Sequence, residues 1–239
     1  MKIISAVFAA LLLAQSVFAA EPAPEDVKNR LAGFFGPNFP LSAVNTTDVP
    51  NVYEVEGGSQ IIYVTMHENL ILIGQLYDMV HRVSLGEQKR EKRIRENVEA
   101  EIPNIPVEDM VVFKGKDSKR HITVFTDVEC GFCRKLHQEV PKLNEAGVDV
   151  RYVWFPNLRE TSRPKAISVH CAKNPTKAMT AAKAGKEIAK AECDNPVDEQ
   201  FAIGRKIGVQ GTPFIVVDDM NVIGGYVPAD QLLARLGLK

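Results

Sequence analysis

The chain has 239 residues, 25% of them charged and 45% hydrophobic, with a formal net charge of −1. That length suits about two domains. The even charge balance sets aside a nucleic-acid binder and a polybasic membrane patch.

At the start, Lys2 precedes an apolar run over residues 3–13, then Ala14-Gln15-Ser16-Val17-Phe18-Ala19-Ala20 and a polar, proline-rich stretch. A short positive region, an apolar core and small residues at Val17 and Ala19 predict a cleaved export signal over residues 1–19. The apolar run is shorter than the roughly 20 residues that cross a bilayer. Export places the four cysteines in an oxidising compartment, where disulfides persist. More than one pairing is open to such a set. Cys130 and Cys133 are the natural redox couple, leaving Cys171 and Cys193.

Residues 25–35 read as a short helix, with Val27, Leu31, Phe34 and Phe35 apolar and Gly36-Pro37 as its stop. Residues 41–74 read as strands: residues 52–55 alternate, residues 61–66 are β-branched and aromatic, and residues 70–73 follow a His67-Glu68-Asn69 turn. The β-rich unit this predicts, residues 20–83, is near the lower size limit for an independent core. Such a unit commonly gains stability by dimerising.

Residues 84–101 alternate in charge, with Glu91/Arg95, Lys92/Glu96 and Arg95/Glu99 four apart, as an exposed helix needs. A thin stripe of Ile94, Val98 and Ile102 is apolar. This predicts a helical linker over residues 84–106 that holds two domains apart and ends at Pro103 and Pro106. The alternative is the solvated face of an ordinary domain helix.

From Val107 to residue 239 the pattern is α/β. Strands are expected over residues 110–113, 122–126, 148–155, 214–217 and 222–223. Helices are expected over residues 134–146, 163–172, 176–184, 197–207 and 229–236. Pro141 predicts a kink or break in the first of these helices, and Gly147 closes it ahead of the next strand, as a β-α-β unit requires.

Cys130-Gly131-Phe132-Cys133 stands where an apolar β-branched run, residues 121–126, gives way to a helical stretch. A sulfur at a helix N-terminus meets unpaired N–H groups and the positive end of the dipole, both of which favour a thiolate. A second sulfur one turn further in can close a disulfide or expel a trapped partner. Zinc sites use the same spacing, but Cys171 and Cys193 supply no second close pair, so the redox reading is preferred and no metal is expected.

Gly208-Val209-Gln210-Gly211-Thr212-Pro213 leads into the strand over residues 214–217. Proline cannot donate to a sheet ladder and belongs at a strand's first residue or edge, and X–Pro bonds readily become cis. The segment is either an ordinary strand opening or a loop that presents the Thr212 backbone to an extended substrate; the upstream cysteine pair favours the loop. Phe132 either faces substrate or packs against its loop. Arg134 and Lys135 either add positive potential or are solvated charges, and Glu129 reads first as a loop carboxylate. His137 and His170 lack a regular ligand spacing and read as structural or surface residues.

Residues 125–137, Phe125-Thr-Asp-Val-Glu-Cys-Gly-Phe-Cys-Arg-Lys-Leu-His137, resemble the active-site segment of the bacterial periplasmic disulfide isomerases of the DsbC/DsbG type. So do Val150-Arg-Tyr-Val-Trp-Phe-Pro156, His170-Cys-Ala-Lys-Asn174 and Ile207-Gly-Val-Gln-Gly-Thr-Pro213. The resemblance extends to the β-rich N-terminal unit (Ile73-Gly-Gln-Leu-Tyr-Asp78) and the linker, and is greatest to the DsbC type. It implies an α/β chain in which a small β-rich dimerisation domain and a helical linker precede a thioredoxin-like catalytic domain with a helical insertion.

By that resemblance Cys130 is the exposed nucleophile and Cys133 the buried resolving cysteine. Gly131, Phe132, Thr212 and Pro213 form the substrate-facing loops, and Cys171 with Cys193 the structural disulfide. It further implies a V-shaped homodimer in the periplasm, misoxidised exported proteins as substrates, a DsbD-type inner-membrane reductase as partner, and no cofactor. The activity implied is disulfide isomerisation, the alternatives being a DsbG-like chaperone or sulfenic-acid reductase and a dithiol oxidase. The Gly-Phe dipeptide departs from the usual Gly-Tyr of the isomerases and the Pro-Tyr of the DsbG type; its glycine favours the isomerases.

Overall fold

Short connections between alternating segments favour antiparallel neighbours, and the N-terminal unit follows that rule. The computed structural model describes residues 22–58, 60–218 and 220–238, so the export signal expected over residues 1–19 lies outside the described residues. Strands β1 (Leu41–Thr46), β2 (Tyr53–Gly57), β3 (Gln60–His67) and β4 (Leu70–Gly74) form one antiparallel sheet in that order. Helix α1 (Pro24–Phe35) covers it, burying Val27 and Leu31 against Tyr53, Val55 and Val64. His67 pairs with Leu70, so the β3–β4 turn has one residue fewer than expected. Glu68 takes a left-handed φ of 49°, and a tight hairpin turn requires such a conformation. A small hairpin of β5 (Tyr77–Asp78) and β6 (Val83–Ser84) follows.

The chain divides into two compact units between Glu87 and Gln88. Helix α2 (Leu85–Glu101) crosses that division. The Ser84 hydroxyl caps its start, accepting from the Glu87 N–H at 3.3 Å. From Gln88 onward α2 belongs to the second unit. Its stripe is a packing face there: Val98 and Ile102 are buried with Phe125, Phe155 and Ile207, and Ile94 packs beside them. The charge pattern describes the helix's outer face and gives no sign of how deeply the inner one is covered.

In the second unit β8 (Arg120–Thr126) and β9 (Val148–Trp154) run parallel, joined by α3 (Gly131–Glu145). Antiparallel β7 (Val111–Phe113), β10 (Phe214–Val217) and β11 (Val222–Gly224) complete the sheet in the order β11-β10-β8-β9-β7. Helices α4 (Ser162–His170) and α5 (Pro175–Lys183) are inserted between β9 and α6 (Val197–Ile207), and α7 (Ala229–Arg235) closes the chain. One face of the sheet packs Ile122, Val124, Val150 and Tyr152 against Leu136, Val140 and Leu143 of α3. The other packs Phe125, Val153 and Phe214 against the α2 and α6 side.

Helix α3 runs through Pro141 without a break, so of the kink or break expected there the break does not occur. Pro141 is on the exposed face, and burial of Leu136, Val140 and Leu143 on the opposite one outweighs a local cost of about 3 kcal/mol.

Candidate active site

Parallel pairing of β8 with β9 brings the carboxyl ends of both strands to one edge of the sheet, where α/β folds place their sites. The chain leaves β8 at Thr126, turns, and enters α3 with Cys130 as the N-cap. The Cys130 sulfur accepts from the backbone N–H of Cys133 at 3.3 Å, and its thiol faces the Thr212 carbonyl at 3.1 Å. The Thr212–Pro213 bond is cis, and the loop stands directly over the sulfur. Beside it a groove of about 520 Å³ is lined by Arg90, Ile94, Gly211, Thr212, Pro213 and Gly224.

The resemblance implied an exposed nucleophile. Cys130 is in fact only 5% accessible, because capping α3 tucks its sulfur between the helix start and the Thr212 carbonyl. Phe132, by contrast, stands 63% exposed beside it.

The two thiols are driven in opposite directions. The Cys130 thiol is lowered to about 5, first by the hydrogen bond from the Cys133 thiol. The Thr212 side chain and the backbone N–H groups of Cys133 and Phe132 add to this, and burial opposes it. Cys133 is fully buried, and that burial pushes its thiol well above the ordinary range. The arrangement therefore holds one sulfur as a thiolate and the other as a protonated reserve.

Other polar groups fix the frame. The Asp127 carboxylate accepts from the backbone N–H groups of Glu129, Asn157 and Leu158 at 2.8, 3.1 and 3.0 Å, tying the turn before Cys130 to the loop after β9. Glu129 pairs with Lys165 at 2.6 Å and accepts from Thr161 and Ser162, so its carboxylate serves the start of α4. Arg134 Nε donates to the Val128 carbonyl at 3.2 Å, and Lys135 lies 4.4 Å from the Tyr226 ring centroid. Both basic groups are thus engaged away from the sulfur.

His137 is buried between the Tyr152 hydroxyl at 2.9 Å and Thr180 Oγ1 at 3.1 Å, while His170 meets the Trp154 indole at 3.4 Å. Cys171 and Cys193 are joined by a disulfide, which ties the end of α4 to the loop before α6. Among the described residues no group of three or more His, Cys, Asp or Glu is placed to hold a metal ion.

Sequence reasoning missed Lys183. Its Nζ donates to Thr126 Oγ1 and to the Asp127 carbonyl, both at 2.7 Å. Its signal was there to be read: Lys183 lies four residues after buried Met179 and directly after buried Ala182, on the inward face of α5. The role of Asp127 had no comparable signal, since its partners are backbone groups of a distant loop.

Known proteins resemble this chain in both of its units. A thioredoxin-like domain model matches residues 106–238, and a model of the disulfide bond isomerase N-terminal domain matches residues 18–87. The thiol:disulfide interchange protein DsbC of Salmonella typhimurium is 34% identical over 197 residues, 81% of this chain and 79% of its own. The chain belongs to the DsbC family. DsbC of Haemophilus influenzae is 28% identical over 233 residues, covering 95% of this chain and 96% of its own. The crystal structure of a disulfide interchange protein from Neisseria gonorrhoeae, 27% identical, superposes with a TM-score of 0.52 over 56% of this chain and 96% of that one. DsbC-family membership makes this a periplasmic thiol:disulfide interchange enzyme of the thioredoxin superfamily.

Proposed function

We propose that the protein is a disulfide isomerase whose working dithiol is Cys130-Gly131-Phe132-Cys133. The observation that carries this is the placement of the two sulfurs: Cys130 caps α3 beneath the Thr212–Pro213 loop, and Cys133 lies fully buried one turn inside the helix, an arrangement that lowers the first thiol and raises the second. The Cys130 thiolate attacks one sulfur of a substrate disulfide; that S–S bond breaks and the second substrate sulfur leaves as a thiolate. A thiolate cannot donate, so the Thr212 carbonyl is then released to accept from a backbone N–H of an extended substrate lying beside Pro213.

A different substrate thiolate next attacks the mixed disulfide and expels Cys130, whose low pKa makes it a good leaving group. The substrate has exchanged one disulfide for another with no net transfer of electrons. When no such thiolate arrives, Cys133 attacks Cys130 and the substrate leaves reduced. The oxidised enzyme then needs a reductant, which supports a DsbD-type membrane partner.

We further assign residues 20–83 as a dimerisation domain, 107–239 as the catalytic domain, and 84–106 as a helical connection that is packed onto the catalytic domain from Gln88 onward. The edge strand β4 leaves Leu70 and Leu72 72% and 64% exposed, which favours a second copy as its cover. Leu70→Lys combined with Leu72→Lys is expected to give a monomer by light scattering; a dimer that survives both changes refutes this edge as the interface.

Function is tested by refolding a scrambled-disulfide substrate with wild type and Cys130→Ser. Recovery of native substrate by wild type alone supports the assignment, and equal recovery by both sinks it. The reduction potential of the pair separates isomerase from oxidase: a strongly oxidising value, combined with net disulfide formation in a reduced substrate, would give the oxidase reading the advantage.

A further inference from the structure

An ammonium taken out of water loses its hydration, so buried lysines are costly and rarely left without a charged partner. Lys183 is 4% exposed, and its hydrogen bonds run to a hydroxyl and a carbonyl rather than a carboxylate. Both lie at the end of β8, a few residues before Cys130. Thr126 is itself fully buried. Having accepted from Lys183 Nζ at 2.7 Å, its hydroxyl keeps one proton to offer elsewhere. Thr126 and Lys183 are thus joined by a buried hydrogen bond just before the site, and both act on the fully buried Cys133 in the sense that favours its thiolate.

We propose that Lys183 is a positioning residue for the resolving step, taking the Cys133 proton through the Thr126 hydroxyl as Cys133 attacks Cys130. This rests on the reading of Cys130 and Cys133 as the working dithiol. In the step, Lys183 first gives up a proton to solvent and the Thr126 hydroxyl turns its hydrogen toward the neutral amine; the Cys133 thiol then passes its proton to Thr126 Oγ1 while Thr126 passes its own to Nζ of Lys183. The Cys133–Cys130 bond forms and the bond from Cys130 to the substrate sulfur breaks. The substrate thiolate leaves with the electron pair and takes a proton from water. The dithiol is oxidised to a disulfide and the substrate disulfide has been reduced.

Lys183 can supply the neutral amine because burial lowers its pKa to about 8. Cys133, Cys130 and Asp127 raise it, and Arg134 lowers it. Tyr152 of β9 adds its ring, 5.8 Å from Nζ, and His137 of α3 is held near 4 and so is neutral at working pH. When Cys130 enters the mixed disulfide its negative charge disappears. One of the anions that retain the ammonium is then gone, at the stage when Cys133 must lose its proton.

The test uses reduced full-length protein and the aromatic disulfide dithiobis-nitrobenzoate. The first nitrothiobenzoate released reports attack by Cys130 and the second reports attack by Cys133. In both Lys183→Met and Thr126→Val, the first release is expected to stay within about twofold of wild type. The second is expected to slow about tenfold or more at neutral pH, with its pH profile moved to alkaline values. A second release with wild-type rate and wild-type pH profile in both variants overturns the proposal. A first release that persists in Cys130→Ser overturns the dithiol reading instead. Should Lys183→Met not fold, Thr126→Val decides alone, because valine keeps the shape and removes only the hydroxyl.

Discussion

The backbone N–H of Cys133 donates to the Cys130 sulfur at 3.3 Å, so the residue that would resolve a mixed disulfide also holds the nucleophile as its thiolate. The same short turn that brings the sulfurs together separates their chemistry. Cys130 caps the helix, and Cys133 is buried one turn inside it.

That relationship predicts a pH-dependent stability for the reduced protein. The folded Cys130 thiol is lowered from 9.0 to about 5, so between those values the unfolded state binds more protons and stability rises with pH. The contribution is fully present above pH 9.0 and is lost as pH falls through about 5. Urea unfolding of reduced wild type and Cys130→Ser should therefore diverge steadily across this window. Parallel curves would contradict a stabilised thiolate.

His137 predicts a second dependence at lower pH. Burial lowers it from 6.5 to about 4, with the Lys183 charge adding to the effect, so the unfolded chain binds the proton first. The stabilisation is fully present above pH 6.5 and is lost as pH falls through about 4. His137→Leu is expected to flatten the slope in this window by on the order of 1 kcal/mol per pH unit. It also lowers stability at every pH by about 1–2 kcal/mol, since the buried Tyr152 hydroxyl loses its partner. Urea titrations across this pH range would measure both quantities.

The Cys171–Cys193 disulfide closes a sequence separation of 22 residues. Replacing both cysteines with alanine should cost about 2–4 kcal/mol of unfolding free energy. The rate of Cys130 alkylation should stay within about twofold of wild type. A large loss of alkylation rate at intact secondary structure would mean that this bond supports the site itself.

Gly204 of α6 predicts a packing failure. A Cβ there would lie 2.5 Å from the Phe155 ring and 3.2 Å from Phe125. Both rings belong to the buried layer behind the site. Gly204→Ala should destabilise by about 1–3 kcal/mol through overpacking, despite alanine's better helix propensity. Thermal unfolding checks the sign, and a gain in stability would show that α6 can move away from the sheet.

Much of this was legible because local chemistry and global packing agree. Cys130 and Cys133 announce themselves by spacing and by the change of pattern from strand to helix, and β10 begins at Phe214 directly after Pro213. Misreadings arose where tertiary contacts override a local rule. Pro141 sits within a helix whose other face is buried, so its local penalty does not break it. Glu68 accepts a left-handed φ that its residue type does not advertise. Lys183 follows Met179 by four residues on the apolar side of its helix, but a long lysine there also fits a side chain that carries its charge out to water, until the end of β8 is seen to lie against it. Residues 94–102 look solvated because charge dominates their composition, although the small inward stripe carries the packing.

That stripe also bears on where the catalytic unit can be cut. The thioredoxin-like match begins at residue 106, yet Val98, Ile102 and Ile105 fill the same apolar layer as Val209 and Phe214, the residues that bracket the Thr212–Pro213 loop. A fragment begun at Val107 would expose the underside of its own substrate loop to water. The natural seam for grafting or truncating the redox module therefore lies near Gln88, and the last turns of α2 travel with it as its floor.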